Sequence, residues 1–102
     1  LSADEMQRNL ETMIEVCQEH NARVLLAGMK ALPNYGEDYM REFETVFPSL
    51  AEKYNLAFLP FLLEGVAGER EHTQPDGLHP VASGYRIVTD LVWEHLEPML
   101  EK

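Results

Sequence analysis

Arg23-Val24-Leu25-Leu26-Ala27-Gly28-Met29 is a short, nearly continuous apolar run. Its lack of polar alternation is the pattern of a strand covered on both faces in a parallel sheet. Such a strand needs helices on either side, and the flanking sequence supplies them. Upstream, Ser2 with Glu5 three residues on forms a capping box. Met6, Leu10, Met13, Ile14 and Cys17 then keep to one face, which predicts a helix ending near His20-Asn21. On that face Cys17 is expected to be a buried, inert thiol. His20 falls in the last turn, where an imidazolium complements the helix dipole.

Downstream, Leu32-Pro33-Asn34-Tyr35-Gly36 is rich in turn residues. It would stand beyond the strand's carboxyl end, where open α/β sheets place their ligands. Tyr35 is therefore a binding candidate, with packing on its own neighbours as the alternative. From Glu37 to about Asn55 the stripe Tyr39, Met40, Phe43, Val46, Phe47, Leu50, Ala51 and Tyr54 predicts a second helix. Pro48 lies inside it, so a kink or a break near Phe47 is expected. Leu56-Ala57-Phe58-Leu59-Pro60 reads as a second strand, ended by its proline. Phe61 to Ala67 reads as a brief helix and Gly68 to Pro75 as a polar loop in which His72 is solvated. The last helix runs from Val81, with Tyr85, Val88, Leu91, Val92, Leu96, Met99 and Leu100 inward, Trp93 at the stripe's edge and Pro98 limiting its regularity. His95 reads as a surface or boundary residue. The order helix, strand, helix, strand, helix is that of an α/β protein with right-handed crossovers. Two strands buried on both faces leave their outer edges unpaired, so further strands are expected from elsewhere.

Between the polar loop and the last helix stands Asp76-Gly77-Leu78-His79-Pro80. Glycine permits a tight turn, proline suits a first helical turn, and an acid three residues before a histidine holds both side chains on one short loop. That is how an orienting carboxylate reaches a general base. The carboxylate accepts the Nδ1 hydrogen, leaving Nε2 to take a proton from a hydroxyl nucleophile. The same residues also make an ordinary turn and helix start. A metal site with His72 as third ligand is a further reading, but no Cys pair or further His sits at a usual ligand spacing. No metal or cofactor is expected.

The chain has 102 residues, about one small domain. Its 45% hydrophobic and 25% charged content exclude a disordered or fibrous class. Eighteen acids against eight bases give a formal charge of −10 with no basic stripe, so nucleic acid is not an expected partner. No apolar run is long enough to span a bilayer. Cys17 is the single cysteine, which rules out an internal disulfide. Leu1-Ser2-Ala3-Asp4 carries neither an initiator Met nor a signal peptide and opens on helix-start residues, the look of an interior stretch of a longer chain.

Taken together, Leu32-Pro33-Asn34-Tyr35-Gly36, Phe47-Pro48-Ser49-Leu50-Ala51, Leu59-Pro60-Phe61-Leu62-Leu63-Glu64-Gly65-Val66 and Asp76-Gly77-Leu78-His79-Pro80 with Gly84 resemble the C-terminal half of an SGNH (GDSL-type) hydrolase. The likeness is nearest to the bacterial arylesterase, acyl-thioesterase and lysophospholipase branch and runs over nearly the whole chain. It implies a flavodoxin-like three-layer α/β/α fold with a parallel sheet of about five strands, of which this chain supplies the last two. Residues 1–102 would then be the C-terminal part of one hydrolase domain. The resemblance also implies His79 as general base, Asp76 as its orienting acid, and a loop at Leu32 and Pro33 that lines an acyl groove. A periplasmic or secreted setting is suggested, with a cytoplasmic one open.

The departure from the family is large. Only Ser2, Ser49 and Ser83 exist, and none follows Gly-Asp. The nucleophilic Ser, and the Gly and Asn of the oxyanion hole, are therefore expected from the N-terminal part of the same hydrolase, as a partner to this chain. The chain alone is expected to be inactive toward its small acyl or aryl ester substrate, and a homo-oligomer is a further possibility. The alternative, from another class, is a non-enzymatic flavodoxin-like binding or assembly module in which residues 76–80 only cap a helix.

Overall fold

A computed structural model describes residues 2–31 and 36–100. Two compact units form, Leu1–Pro60 and Phe61–Lys102. The first holds helix α1 (Ala3–Glu19), strand β1 (Leu25–Ala27), helix α2 (Glu37–Tyr54) and strand β2 (Ala57–Leu59). The second holds a 3-10 turn at Arg70–His72 and helix α3 (Ala82–Leu100).

In the first unit the capping box forms as read. Ser2 Oγ accepts from the Glu5 amide at 3.1 Å, and Glu5 Oε1 accepts from the Ser2 amide at 2.9 Å. The bond from the Ser2 amide, with the Ser2 side chain after it, holds the Glu5 carboxyl below its ordinary pKa, and the pair of capping bonds satisfies two donors that a helix start leaves open. Strands β1 and β2 pair in parallel, with Leu25 opposite Ala57, Leu26 opposite Phe58 and Ala27 opposite Leu59. α2 is the crossover between them. Ala3, Ile14, Leu26, Val46, Phe47, Leu50 and Ala51 make the core, with Met6, Leu10, Phe43 and Phe58 packed against it. Leu50, at 1% exposure, is among its most buried side chains. Two polar ties join α1 to α2 at the surface, Lys53 Nζ to Glu11 Oε2 at 2.9 Å and Tyr54 Oη–H to Glu15 Oε2 at 2.7 Å.

Three expectations change here. Each strand is three residues long and only its Leu26 or Leu59 is buried, because each has a single hydrogen-bonded neighbour among the described residues. Helix α2 runs unbroken through Pro48. Pro48 is on the exposed side, while its neighbours Val46, Phe47, Leu50 and Ala51 anchor the helix in the core and offset the lost backbone bond. Cys17 is exposed rather than buried. It follows Met13 and Val16, 55% and 49% exposed, on a flank of α1 turned away from Ile14. The apolar stripe of α1 is thus wider than the core it meets.

Gly28 continues the β1 ladder, its amide donating to the Leu59 carbonyl at 2.7 Å. A Cβ there would lie 2.3 Å from the Pro60 carbonyl oxygen, a backbone atom that cannot step aside cheaply. Gly28→Ala is therefore expected to destabilise the protein by roughly 1–3 kcal/mol. Chemical denaturation followed by circular dichroism measures this. An unchanged midpoint would show that the two backbones do not approach so closely.

In the second unit, residues 62–68 form successive turns rather than the brief helix expected from Phe61 to Ala67. Gly65 and Gly68 both sit at φ +81°, a left-handed conformation that interrupts a right-handed helix after each turn. The turns bury Val66 completely. Helix α3 is continuous through Pro98. Its inward stripe is Gly84, Ile87, Val88, Leu91, Val92, His95, Leu96 and Met99, all buried or half-buried. Tyr85 and Leu100, expected inward, are 57% and 56% exposed, each next in sequence to a residue of that stripe. Trp93 is also exposed. Among the described residues no helix is long and apolar enough to cross a membrane.

Candidate active site

Gln74-Pro75-Asp76-Gly77 closes a tight turn, the Gly77 amide donating to the Gln74 carbonyl at 2.9 Å with Gly77 at φ +73°. The Asp76 carboxylate then caps the chain that follows. Its Oδ1 accepts from the Leu78 amide at 2.9 Å and from the His79 amide at 3.0 Å. An Asx turn of this kind fixes the side chain of the acid by its own backbone. The second oxygen, Oδ2, accepts from Nδ1–H of His79. The direction is set by chemistry, since an ionised carboxylate only accepts. In the neutral ring Nε2 is then the nitrogen that carries the lone pair.

The hydrogen bond from His79, then those from the Leu78 and His79 amides, lower the Asp76 pKa to about 2. All three favour the charged form. Because the folded value lies below the ordinary 3.8, the loop stabilisation Asp76 provides is fully present above about pH 4 and is lost as pH falls through about 2. The Asp76 carboxyl carbon resonance is expected to titrate with a midpoint near 2, and the Leu78 and His79 amides to lose exchange protection over the same interval. A midpoint at 3.8 would mean that the three bonds are not made in solution.

Around this turn the backbone is pinned. The Gln74 amide donates to the His79 carbonyl at 2.8 Å, Thr73 and Pro80 form an antiparallel bridge, and the Gly68 amide donates to the Gly77 carbonyl at 3.0 Å. Pro80 and Thr73 are buried, while the His79 side chain is 70% exposed. A rigid base thus carries an accessible imidazole.

The structure brings Asp76 and His79 into direct contact. Leu32, Pro33 and Tyr35, the other candidates, lie outside the described residues. Sequence reasoning treated His72 as solvated, whereas its side chain is partly buried and its Nδ1 bonds Ser83 Oγ at 2.8 Å. A signal was present but indirect. A loop that leaves at residue 73 and returns at residue 80 sets residue 72 opposite the first residues of the next helix.

A parallel strand–helix–strand crossover places the chain in the α/β class, and a carboxylate–imidazole pair stands on a loop that leads into a helix. The relatives make it particular. No protein-family model matches the chain. Over 96 residues it is 36% identical to esterase TesA of Pseudomonas aeruginosa, a match covering 94% of this chain and 48% of the relative. The crystal structure of TesA aligns with a TM-score of 0.89 at 35% identity, over 98% of this chain and 56% of that one. AlinE4, described as an SGNH-hydrolase family esterase, aligns with a TM-score of 0.71 at 37% identity, over 100% and 54%. The chain belongs to the SGNH hydrolase family and spans about half the length of the relatives it matches.

Proposed function

We propose that this chain supplies the general base, His79, and its orienting acid, Asp76, to a serine hydrolase that cleaves carboxylic esters or thioesters of acyl or aryl type. The observation that carries the reading is the Asp76 carboxylate, held by two backbone amides on one oxygen and bonded to His79 Nδ1 on the other. That arrangement fixes the tautomer in which Nε2 accepts a proton. Esterase relatives over nearly the whole chain support it.

The chemistry follows from the pair. A serine hydroxyl attacks the ester carbonyl while Nε2 takes its proton. The imidazolium, stabilised by Asp76, then returns that proton to the departing alcohol or thiol, leaving an acyl-enzyme. Water, deprotonated by the same Nε2, releases the acid. None of Ser2, Ser49 and Ser83 follows Gly-Asp, so the nucleophile and the oxyanion donors come from the N-terminal part of the same hydrolase. Leu32, Pro33 and Tyr35 border the acyl groove in this reading.

Purified alone, the 102-residue chain is expected to leave p-nitrophenyl acetate and p-nitrophenyl butyrate uncleaved, and the complete hydrolase to turn them over. Equal turnover by the isolated chain would overturn the division of the triad. Exposed Met13, Val16, Tyr85, Trp93 and Leu100 also call for a cover, either the rest of the hydrolase or a second copy. On size exclusion the chain should therefore not run as a monomer of 11.7 kDa with a cooperative melt.

A further inference from the structure

We propose that His72 and Ser83 form a clamp that fastens the loop carrying Asp76 and His79 to the first turn of α3, and so positions the His79 base. The inference rests on the function proposed above for that loop, and neither residue belongs to the acid–base pair itself.

The clamp has three fastenings, all converging on His72. Its carbonyl oxygen accepts from the Val81 amide at 3.0 Å, where the chain turns into α3. Its ring Nδ1 bonds Ser83 Oγ at 2.8 Å. Its backbone lies against Gly84, whose missing side chain makes the approach possible, since a Cβ there would lie 2.2 Å from the His72 carbonyl oxygen. Ser83 Oγ in turn reaches the Glu71 carbonyl at 3.3 Å, and Glu71 Oε2 lies 3.4 Å from His72 Nε2. With Nδ1–H donating to the hydroxyl and the hydroxyl donating to the Glu71 carbonyl, the serine links two consecutive residues of the incoming chain to one helix turn. One residue further out, Thr73 bridges Pro80 and its own hydroxyl donates to the Glu69 carbonyl at 2.9 Å.

The consequence for the base is geometric. His79, Pro80 and Val81 are the residues between the Asx turn and α3, so any slip of the His72 segment along α3 is passed through the Thr73–Pro80 bridge to the His79 backbone. A general base acts only within hydrogen-bond reach of the proton it takes, and a displacement near 1 Å costs about a hundredfold in rate. His72 and Ser83 are positioning residues, exerting their effect through His79.

The test uses the complete hydrolase and two readouts. Ser83→Ala is expected to lower kcat about tenfold to a hundredfold with KM within about twofold, and Ser83→Thr, which keeps the hydroxyl, to restore most of it. In the same samples the downfield proton resonance of His79 Nδ1–H, sharp in the parent, should broaden or vanish in Ser83→Ala. Should Ser83→Ala fail to fold, His72→Gln carries the same expectation. Unchanged kcat together with an unchanged resonance in a folded variant would overturn the clamp. Full activity in His79→Ala would instead overturn the base assignment, and the resonance alone would then decide whether the clamp positions the ring.

Discussion

If His79 is the base of the proposed hydrolase, replacing it by Ala in the complete protein is expected to lower kcat for ester cleavage by on the order of 10⁴-fold or more, with the far-ultraviolet circular dichroism unchanged. The size of the effect follows from what is removed. In the proposed mechanism, without Nε2 no group takes the proton of the attacking hydroxyl or returns it to the leaving group, and only binding and oxyanion stabilisation are left. The fold is spared because the imidazole is largely exposed and its loop is held by backbone bonds and by Asp76 Oδ1. Asp76→Asn should cost less than His79→Ala. The amide oxygen can still accept from the Leu78 and His79 amides, but the charge that stabilises the imidazolium is gone. A folded His79→Ala protein with undiminished turnover on p-nitrophenyl esters would remove His79 from the chemistry altogether.

The second large effect is on stability. Gly84→Ala places a Cβ 2.2 Å from the His72 carbonyl oxygen, 2.9 Å from the Pro80 Cβ and 3.2 Å from the Val66 Cγ1. None of these can yield easily. The His72 carbonyl is bonded to the Val81 amide, Pro80 is buried in a bridge to Thr73, and Val66 is fully buried. Relief therefore requires α3 to move away from the loop, which costs roughly 3 kcal/mol. Denaturant titration of the complete protein measures the loss. Activity should fall as well, since the displaced segment is the one that carries His79. A midpoint equal to that of the parent would show that α3 and the loop are looser than their contacts imply.

What the sequence made legible is what short range decides. Ser2 and Glu5, three residues apart, produced the capping box, and the bounds of α1 and α2 fell within a residue or two of their patterns. Asp76 and His79 were legible for the same reason, because a Gly-containing turn leaves few ways to place them. What escaped depends on partners distant in sequence. Burial of Cys17 was read from an apolar stripe, yet a stripe says which residues share a face and not whether the neighbouring helix is wide enough to cover it. Pro48 is a helix breaker by local chemistry and is overruled by the buried residues on both sides of it. Phe61 to Ala67 has helical composition, but Gly65 adopts a positive φ that composition does not reveal. His72 and Ser83, eleven residues apart, meet only because a loop closes between them.

The Asx turn at Asp76 has a bearing on how the proposed active site would come together in time. Acid and base are separated by two residues, flanked by Pro75 and Pro80, so few unfolded conformations are forfeited when they pair. Closing so short a loop is an event of about 10–100 ns or less, far quicker than building a sheet. The Asp76–His79 pair can therefore be complete before the rest of the molecule is, and under the proposed function maturation of the site would reduce to one slow encounter between a ready-made dyad and its nucleophile. Variants that slow folding elsewhere in the hydrolase should delay the appearance of activity without degrading the pair itself. Under the proposed function the chemistry of this chain would in that sense be modular, a unit inherited by the enzyme rather than assembled by it.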